Sequence, residues 1–162
     1  MKKLLLVALT ITSATVFAQM PVPLLDAPAA QGIDLATWKA AAPTLQAALE
    51  CRTKITPKMA AMRSLLPKNG NDQWELEPPQ AFTVFDLPVS RVIIYMDHAG
   101  EMGHTYTAVI ASKSLADVRT AAQIKPRGNG GRNTKIGGLT VDQPHGPQTV
   151  ELHCTVAGKW QD

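Results

Sequence analysis

The sequence predicts a single α+β domain in which two N-terminal helices pack on an antiparallel sheet of about five to six strands. Segments 35–49 and 57–66 repeat apolar residues at the spacing of one helix face. The chain from 89 to 111 instead reads as two runs of β-branched and aromatic residues around a glycine turn. One more helix is expected after this hairpin, inserted between strands.

The first 18 residues have the pattern of a secretory signal peptide. Lys2 and Lys3 form a basic start, residues 4–16 are mostly apolar, and 16–18 place small residues at positions −3 and −1 of a cleavage after Ala18. No apolar run is long enough to span a membrane. We expect a periplasmic or secreted chain, with a Pro- and Ala-rich arm at 19–33 and the domain at 34–162.

Charge argues against nucleic acid as a partner. The precursor carries a formal net charge of +3, but the mature chain without Lys2 and Lys3 has 14 basic and 13 acidic side chains, a net charge of +1. Such a balance provides no general attraction to a polyanion.

Two cysteines, Cys51 and Cys154, are expected to form a disulfide, because an exported chain meets an oxidising compartment. A closed loop of about 100 residues contributes on the order of 4–5 kcal/mol in the chain-entropy model. The alternative is a pair of metal-binding or reactive thiols, but the sequence has no C-x-x-C motif.

Capping residues predict where the helices begin. Asp34 is expected to cap the first helix, within which Pro43 should produce a kink or a restart. Thr56 is the expected cap of the second helix. Ser114 and Asp117 form a capping-box pattern for the inserted helix.

Further strands are predicted at 74–77, 81–85, 136–141 and 149–156. The segment 125–138 is expected to be a loop that carries four cations, five glycines and no acid. One interpretation is that this segment binds an anion or an acidic partner. The other is that it is a solvated loop between a helix and a strand. It lacks the features of a phosphate-binding P-loop.

The most suggestive constellation lies around the hairpin turn and consists of Asp97, His98, Glu101, Met102 and His104, of which the last four are the candidate metal ligands. Imidazoles and a carboxylate can hold zinc or copper, and a thioether suits Cu(I). The spacing matches no established metal motif, however, and a histidine at a turn is most often simply exposed.

Catalytic signatures are missing from the sequence. There is no G-x-S-x-G elbow, no H-E-x-x-H motif and no cofactor motif, so we predict no catalytic residues and no cofactor. His145 and His153 are remote in sequence from the hairpin and are given no role.

Residues 85–110, followed by LADVRTAAQIK and a returning IGGL strand, resemble small exported proteins of Gram-negative bacteria over about half of the mature chain. The shared features are Leu-Pro before the hairpin, Gly-Glu at its turn and Thr-Tyr-Thr in its second strand; here they are Leu87, Pro88, Gly100, Glu101, Thr105, Tyr106 and Thr107. His98, Met102 and His104 lie outside this pattern. The resemblance implies a location and a fold type, and no activity.

These observations favour a non-catalytic periplasmic binding protein, an inhibitor or immunity protein that neutralises an envelope-acting enzyme or toxin. One alternative is a copper- or zinc-binding protein that uses the hairpin constellation, and another is a small hydrolase or ligand carrier. The sequence does not indicate an oligomeric state. The residues expected to bind the partner protein are His98, Glu101, Met102, His104, Arg127, Arg132 and Lys135.

Overall fold

A computed structural model describes residues 32–56, 58–67, 72–97, 101–125, 130–146 and 148–158. Within these ranges the chain forms three helices and an antiparallel sheet of seven strands, which confirms the predicted fold class. The expected signal peptide and nearly all of the arm lie outside the described residues. In chain order the elements are α1 (Leu35–Leu49), α2 (Ala60–Leu65), β1 (Gln73–Leu76), β2 (Thr83–Val84), β3 (Leu87–Met96), β4 (His104–Ala111), α3 (Leu115–Ala121), β5 (Gly131–Asn133), β6 (Gly138–Asp142) and β7 (Thr149–Val156).

The sheet has the strand order β1-β3-β4-β7-β6-β5, and β2 pairs with the start of β3. The predicted hairpin is β3–β4, in which Ile94 lies opposite Tyr106. Strand β7 returns from the end of the described chain to pair with β4 along its full length, so that Cys154 also lies beside Tyr106. The two central strands therefore come from distant parts of the sequence.

The two faces of the sheet differ because side chains alternate along each strand. On the inner face, Ile94, Tyr106 and Leu152 are fully buried in one core with Trp38 and Leu45 of α1. Helices α2 and α3 contribute side chains to the same core. The outer face therefore carries none of the described helices and presents mainly polar and half-buried residues.

Most of the predicted helix starts are confirmed. Asp34 accepts hydrogen bonds from the backbone of Ala36 and Thr37. Hydrogen bonding to the Thr37 side chain, and then to these two amides, lowers the pKa of its carboxyl. Ser114 and Asp117 form the expected capping box, which likewise lowers the pKa of Asp117.

Helix α1 runs without interruption through Pro43, so of the expected kink or restart at this proline, the restart does not occur. Two other local predictions are wrong. Thr56 does not cap α2: the Met59 amide donates to the Thr56 carbonyl in a separate turn, and α2 begins only after Met59. The basic segment 125–138 is not a continuous loop, because residues 131–133 pair with β6 as the edge strand β5.

The predicted disulfide is present and joins Cys51, just after α1, to Cys154 in β7. Both residues are buried, so the bridge fastens the end of α1 to the inner face of the sheet. A disulfide is compatible with an extracellular or periplasmic protein. No helix in the described part of the chain has the length and apolar character needed to cross a membrane.

Candidate functional site

The turn between β3 and β4, which we call the hairpin tip (97–103), is described from 101 onwards and at Asp97. The Asp97 amide donates to the Gly103 carbonyl at 3.2 Å, and the Met102 amide donates to Asp97 Oδ2 at 2.6 Å. These two bonds hold the side of the tip that leads into β4. His98 lies outside the described residues.

Glycines allow the end of β7 to pack tightly against the hairpin tip. Gly103 has a φ of +89°, and a Cβ built on it would lie 2.2 Å from the Val156 carbonyl oxygen. A Cβ on Gly158 would lie 2.2 Å from the Glu101 carbonyl oxygen. Both contacts require glycine, so the backbone at residues 101–103 is held by the end of β7 as well as by its own strand.

This well-supported tip exposes a large apolar side chain. Met102 is 70% exposed, and the other exposed large apolar residue in the described part of the chain is Leu35, at 46%. Glu101 beside it is also exposed. His104, by contrast, is 9% exposed on the inner face, where its ring stacks 6.4 Å from that of Tyr106. The structure thus separates His104 from Glu101 and Met102.

The basic residues expected to bind the partner also differ in exposure. Arg132 is half-buried: its guanidinium carbon lies 5.6 Å from the centre of the Phe85 ring, and its Nη1 donates to Gln123 Oε1 at 3.3 Å. Lys135 is exposed in the β5–β6 turn, whereas Arg127 lies outside the described residues. This turn and the hairpin tip lie at the same end of the sheet, on either side of the end of β7.

A second constellation, missed from the sequence, lies on the outer face at the other end of the sheet. His153 Nε2 lies 3.3 Å from Asp142 Oδ1 and 3.7 Å from Glu151 Oε2, and His145 Nε2 lies 3.5 Å from Glu151 Oε1. We call these four side chains the β6–β7 cluster. In the described residues, the one group of three histidine, cysteine or acidic side chains that could share a metal ion is Asp142, Glu151 and His153.

The sequence contained a signal for this cluster. Glu151 and His153 alternate with the apolar residues Val150, Leu152 and Cys154, which places both polar side chains on the outer face of one strand. Their pairing with Asp142 depends on the β6–β7 register, which places Asp142 directly opposite Glu151. His145 and His153, for which the sequence predicted no role, are brought together with Asp142 and Glu151 by this β6–β7 hairpin.

The sequence matches no protein-family model and no curated protein, and the structure matches no solved structure closely enough to indicate a relationship.

Proposed function

We propose that this protein is a non-catalytic binding protein of the bacterial envelope, an inhibitor or immunity protein that neutralises an enzyme or toxin acting there. Its partner is a protein, which it engages with the end of the sheet that carries the hairpin tip. The observation that supports this proposal most directly is the 70% exposure of Met102, whose own backbone amide is hydrogen-bonded to Asp97.

An exposed methionine on a fixed loop suits protein recognition. Methionine is enriched in interface cores, and its flexible thioether side chain adapts to the shape of an apolar pocket. Burying it against a partner removes apolar surface from water. Because the backbone of residues 101–103 already packs against residues 156–158, binding would order few additional backbone torsions around Met102.

Charged neighbours provide a polar rim for this anchor. Glu101 is exposed beside Met102, and Lys135 is exposed in the β5–β6 turn. Strands β4 and β6 both pair with β7, so the two turns lie about 10 Å apart at the sheet spacing. An apolar centre with charges of both signs around it is the usual arrangement of a specific interface.

Affinity purification of the oxidised mature chain from cells of its own species tests this proposal. The wild-type chain and Met102→Asp are compared with Leu35→Asp, the matched control at the other exposed apolar residue, in the first turn of α1. We expect one stoichiometric protein partner with the wild type and with Leu35→Asp, and its loss with Met102→Asp. Equal recovery with all three chains, or no partner at all, would contradict the proposal.

Export is part of the same proposal, supported by the disulfide and by the signal-like sequence of residues 1–18. N-terminal sequencing of the protein from a periplasmic extract or the medium is expected to begin at Gln19. A chain that begins at Met1 in the cytoplasm would contradict export.

A further inference from the structure

The β6–β7 cluster combines two imidazoles and two carboxylates within one hairpin. Asp142 ends β6 and lies directly opposite Glu151 of β7. His153 follows two residues later on the same face, and His145 reaches back from the connecting loop. We propose that Asp142, Glu151 and His153, whose ligand atoms lie within 4.8 Å of one another, form a binding site for a divalent transition cation of the zinc and copper(II) class, and that His145 turns toward them as the fourth ligand.

The distances between the side-chain atoms suit such an ion. Zinc is held at about 2.0–2.2 Å by histidine nitrogen and carboxylate oxygen, so that ligand atoms of a tetrahedral site lie about 3.3–3.6 Å apart. The three separations in the cluster are 3.3, 3.5 and 3.7 Å. The contacts of His153 with Asp142 and with Glu151 Oε2 therefore already have nearly the spacing of edges of that tetrahedron, whereas His145 contacts the other oxygen of Glu151, Oε1.

The local charge also favours a cation. The Glu151 side chain is only 12% exposed, and its ion-pair partners in the described part of the chain are His145 and His153. Histidine balances a carboxylate only when it is protonated. Arg91, which lies two strands away from Glu151 on the outer face, is instead paired with Glu75. A divalent ion would neutralise both carboxylates of the cluster.

A hydrogen bond to the neighbouring strand β4 orients the ring of His153. His153 Nδ1 lies 2.9 Å from the hydroxyl oxygen of Thr107, which is 6% exposed on β4 directly opposite His153. With Nε2 bound to a metal, Nδ1 carries the proton and donates it to this oxygen. Such an outer contact fixes the ring with Nε2 toward the carboxylates, as is usual for histidine ligands of metals.

The ligand types define the class of ion. Calcium and magnesium prefer sites made of oxygen atoms alone, whereas imidazole nitrogen suits zinc and copper(II). The site lies about four strand residues, or roughly 13 Å, from the hairpin tip along β7. It is therefore distinct from the partner-binding surface and does not depend on it.

Calorimetric titration of the metal-free, oxidised mature chain with Zn(II) tests the proposal, and Ca(II) is titrated for comparison. We expect one equivalent of Zn(II) to bind, no heat with Ca(II), and an affinity at least tenfold lower for His153→Gln. Thr107→Val is expected to lower the affinity by about tenfold through loss of the orienting bond. Glu101→Gln, which removes a carboxylate of the hairpin tip, should bind like the wild type.

Histidine ring signals in nuclear magnetic resonance spectra test the site in the wild-type chain, without substitution of any metal-binding residue. Zn(II) is expected to shift the signals of His145 and His153 and to leave those of His98 and His104 unchanged. No saturable binding, unchanged affinity in a folded His153→Gln chain, or shifts confined to His98 and His104 would each overturn the proposal. None of these results would affect the test of Met102.

Discussion

At the residue scale, Tyr106 shows how one polar atom links distant parts of the fold. Its ring is fully buried in the core, and its hydroxyl accepts a hydrogen bond from the Ile55 amide at 3.0 Å. Ile55 lies in the connection between α1 and α2, so this bond fastens that connection to the central strand β4. Burial raises the pKa of Tyr106 to about 12, although the bond from Ile55 acts to lower it.

Tyr106→Phe keeps the ring and removes the hydroxyl, which leaves the buried Ile55 amide without its acceptor. We expect the free energy of unfolding in urea to fall by about 1–3 kcal/mol at neutral pH. Tyr95→Phe, on the outer face of β3, is the matched control and should change stability little. Equal effects of the two substitutions would show that the Ile55 bond is unimportant.

The same residue predicts a dependence on alkaline pH. Below its ordinary pKa of 10.0, Tyr106 is neutral in both folded and unfolded chains, so its contribution is fully present. As pH rises from 10 toward about 12, the unfolded chain loses the phenolic proton while the folded chain keeps it, and stability falls. Urea titrations across this range should show a smaller fall for Tyr106→Phe than for Tyr95→Phe.

Local sequence predicted some of these residue roles and not others. Asp34 and Ser114 were identified as caps because their hydrogen bonds reach only two or three residues along the chain. The bond between Ile55 and Tyr106 spans 51 residues, and it depends on how the α1–α2 connection crosses the sheet. No local pattern contains that information.

At the element scale, the β3–β4 hairpin is the part that sequence predicted best. The alternation of apolar residues predicted both strands, and in the structure the two predicted runs lie opposite each other as β3 and β4. Strand β5 was missed because its three residues, Gly-Arg-Asn, carry no apolar alternation and pair only with the edge of the sheet. The hairpin tip was predicted as a surface, but its support by the end of β7 depends on long-range packing.

Gly103→Ala tests that support. The added methyl group would meet the Val156 carbonyl, and the φ of +89° disfavours any residue with a Cβ. We expect a loss of more than about 1 kcal/mol in unfolding free energy, measured in urea. Gly138→Ala is the control, since a Cβ there has no atom within 4 Å, and it should be close to neutral. A Gly103→Ala chain as stable as Gly138→Ala would mean that the tip is not held by β7.

At the scale of the whole molecule, the disulfide and the β4–β7 pairing connect the N-terminal and C-terminal parts of the described chain. Cys51 and Cys154 are 103 residues apart, and the bridge joins the first helix to the last described strand. The pairing of these cysteines was predictable because the chain contains no others. The β6–β7 cluster was not predicted, because it required the register that places Asp142 beside Glu151.

Removal of the disulfide should destabilise the whole domain. For Cys51→Ala with Cys154→Ala, we expect the free energy of unfolding to fall by about 4–5 kcal/mol, since the closed loop contains about 100 residues. Guanidinium unfolding of the oxidised wild type, the reduced wild type and the double variant measures this change. The last two should agree, and a fall below about 1 kcal/mol would contradict the chain-entropy account.

The measurement that tests the proposed function most directly is photo-crosslinking in living cells of the source species. A photoreactive side chain is introduced as Met102→p-benzoylphenylalanine and, as the matched control, as Leu35→p-benzoylphenylalanine, at the two exposed apolar positions. A binding protein that engages its partner through the hairpin tip should give one crosslinked protein species from position 102 and none from position 35. Crosslinks of equal yield from both positions, or none from position 102, would contradict the assignment of the tip as the partner-binding surface.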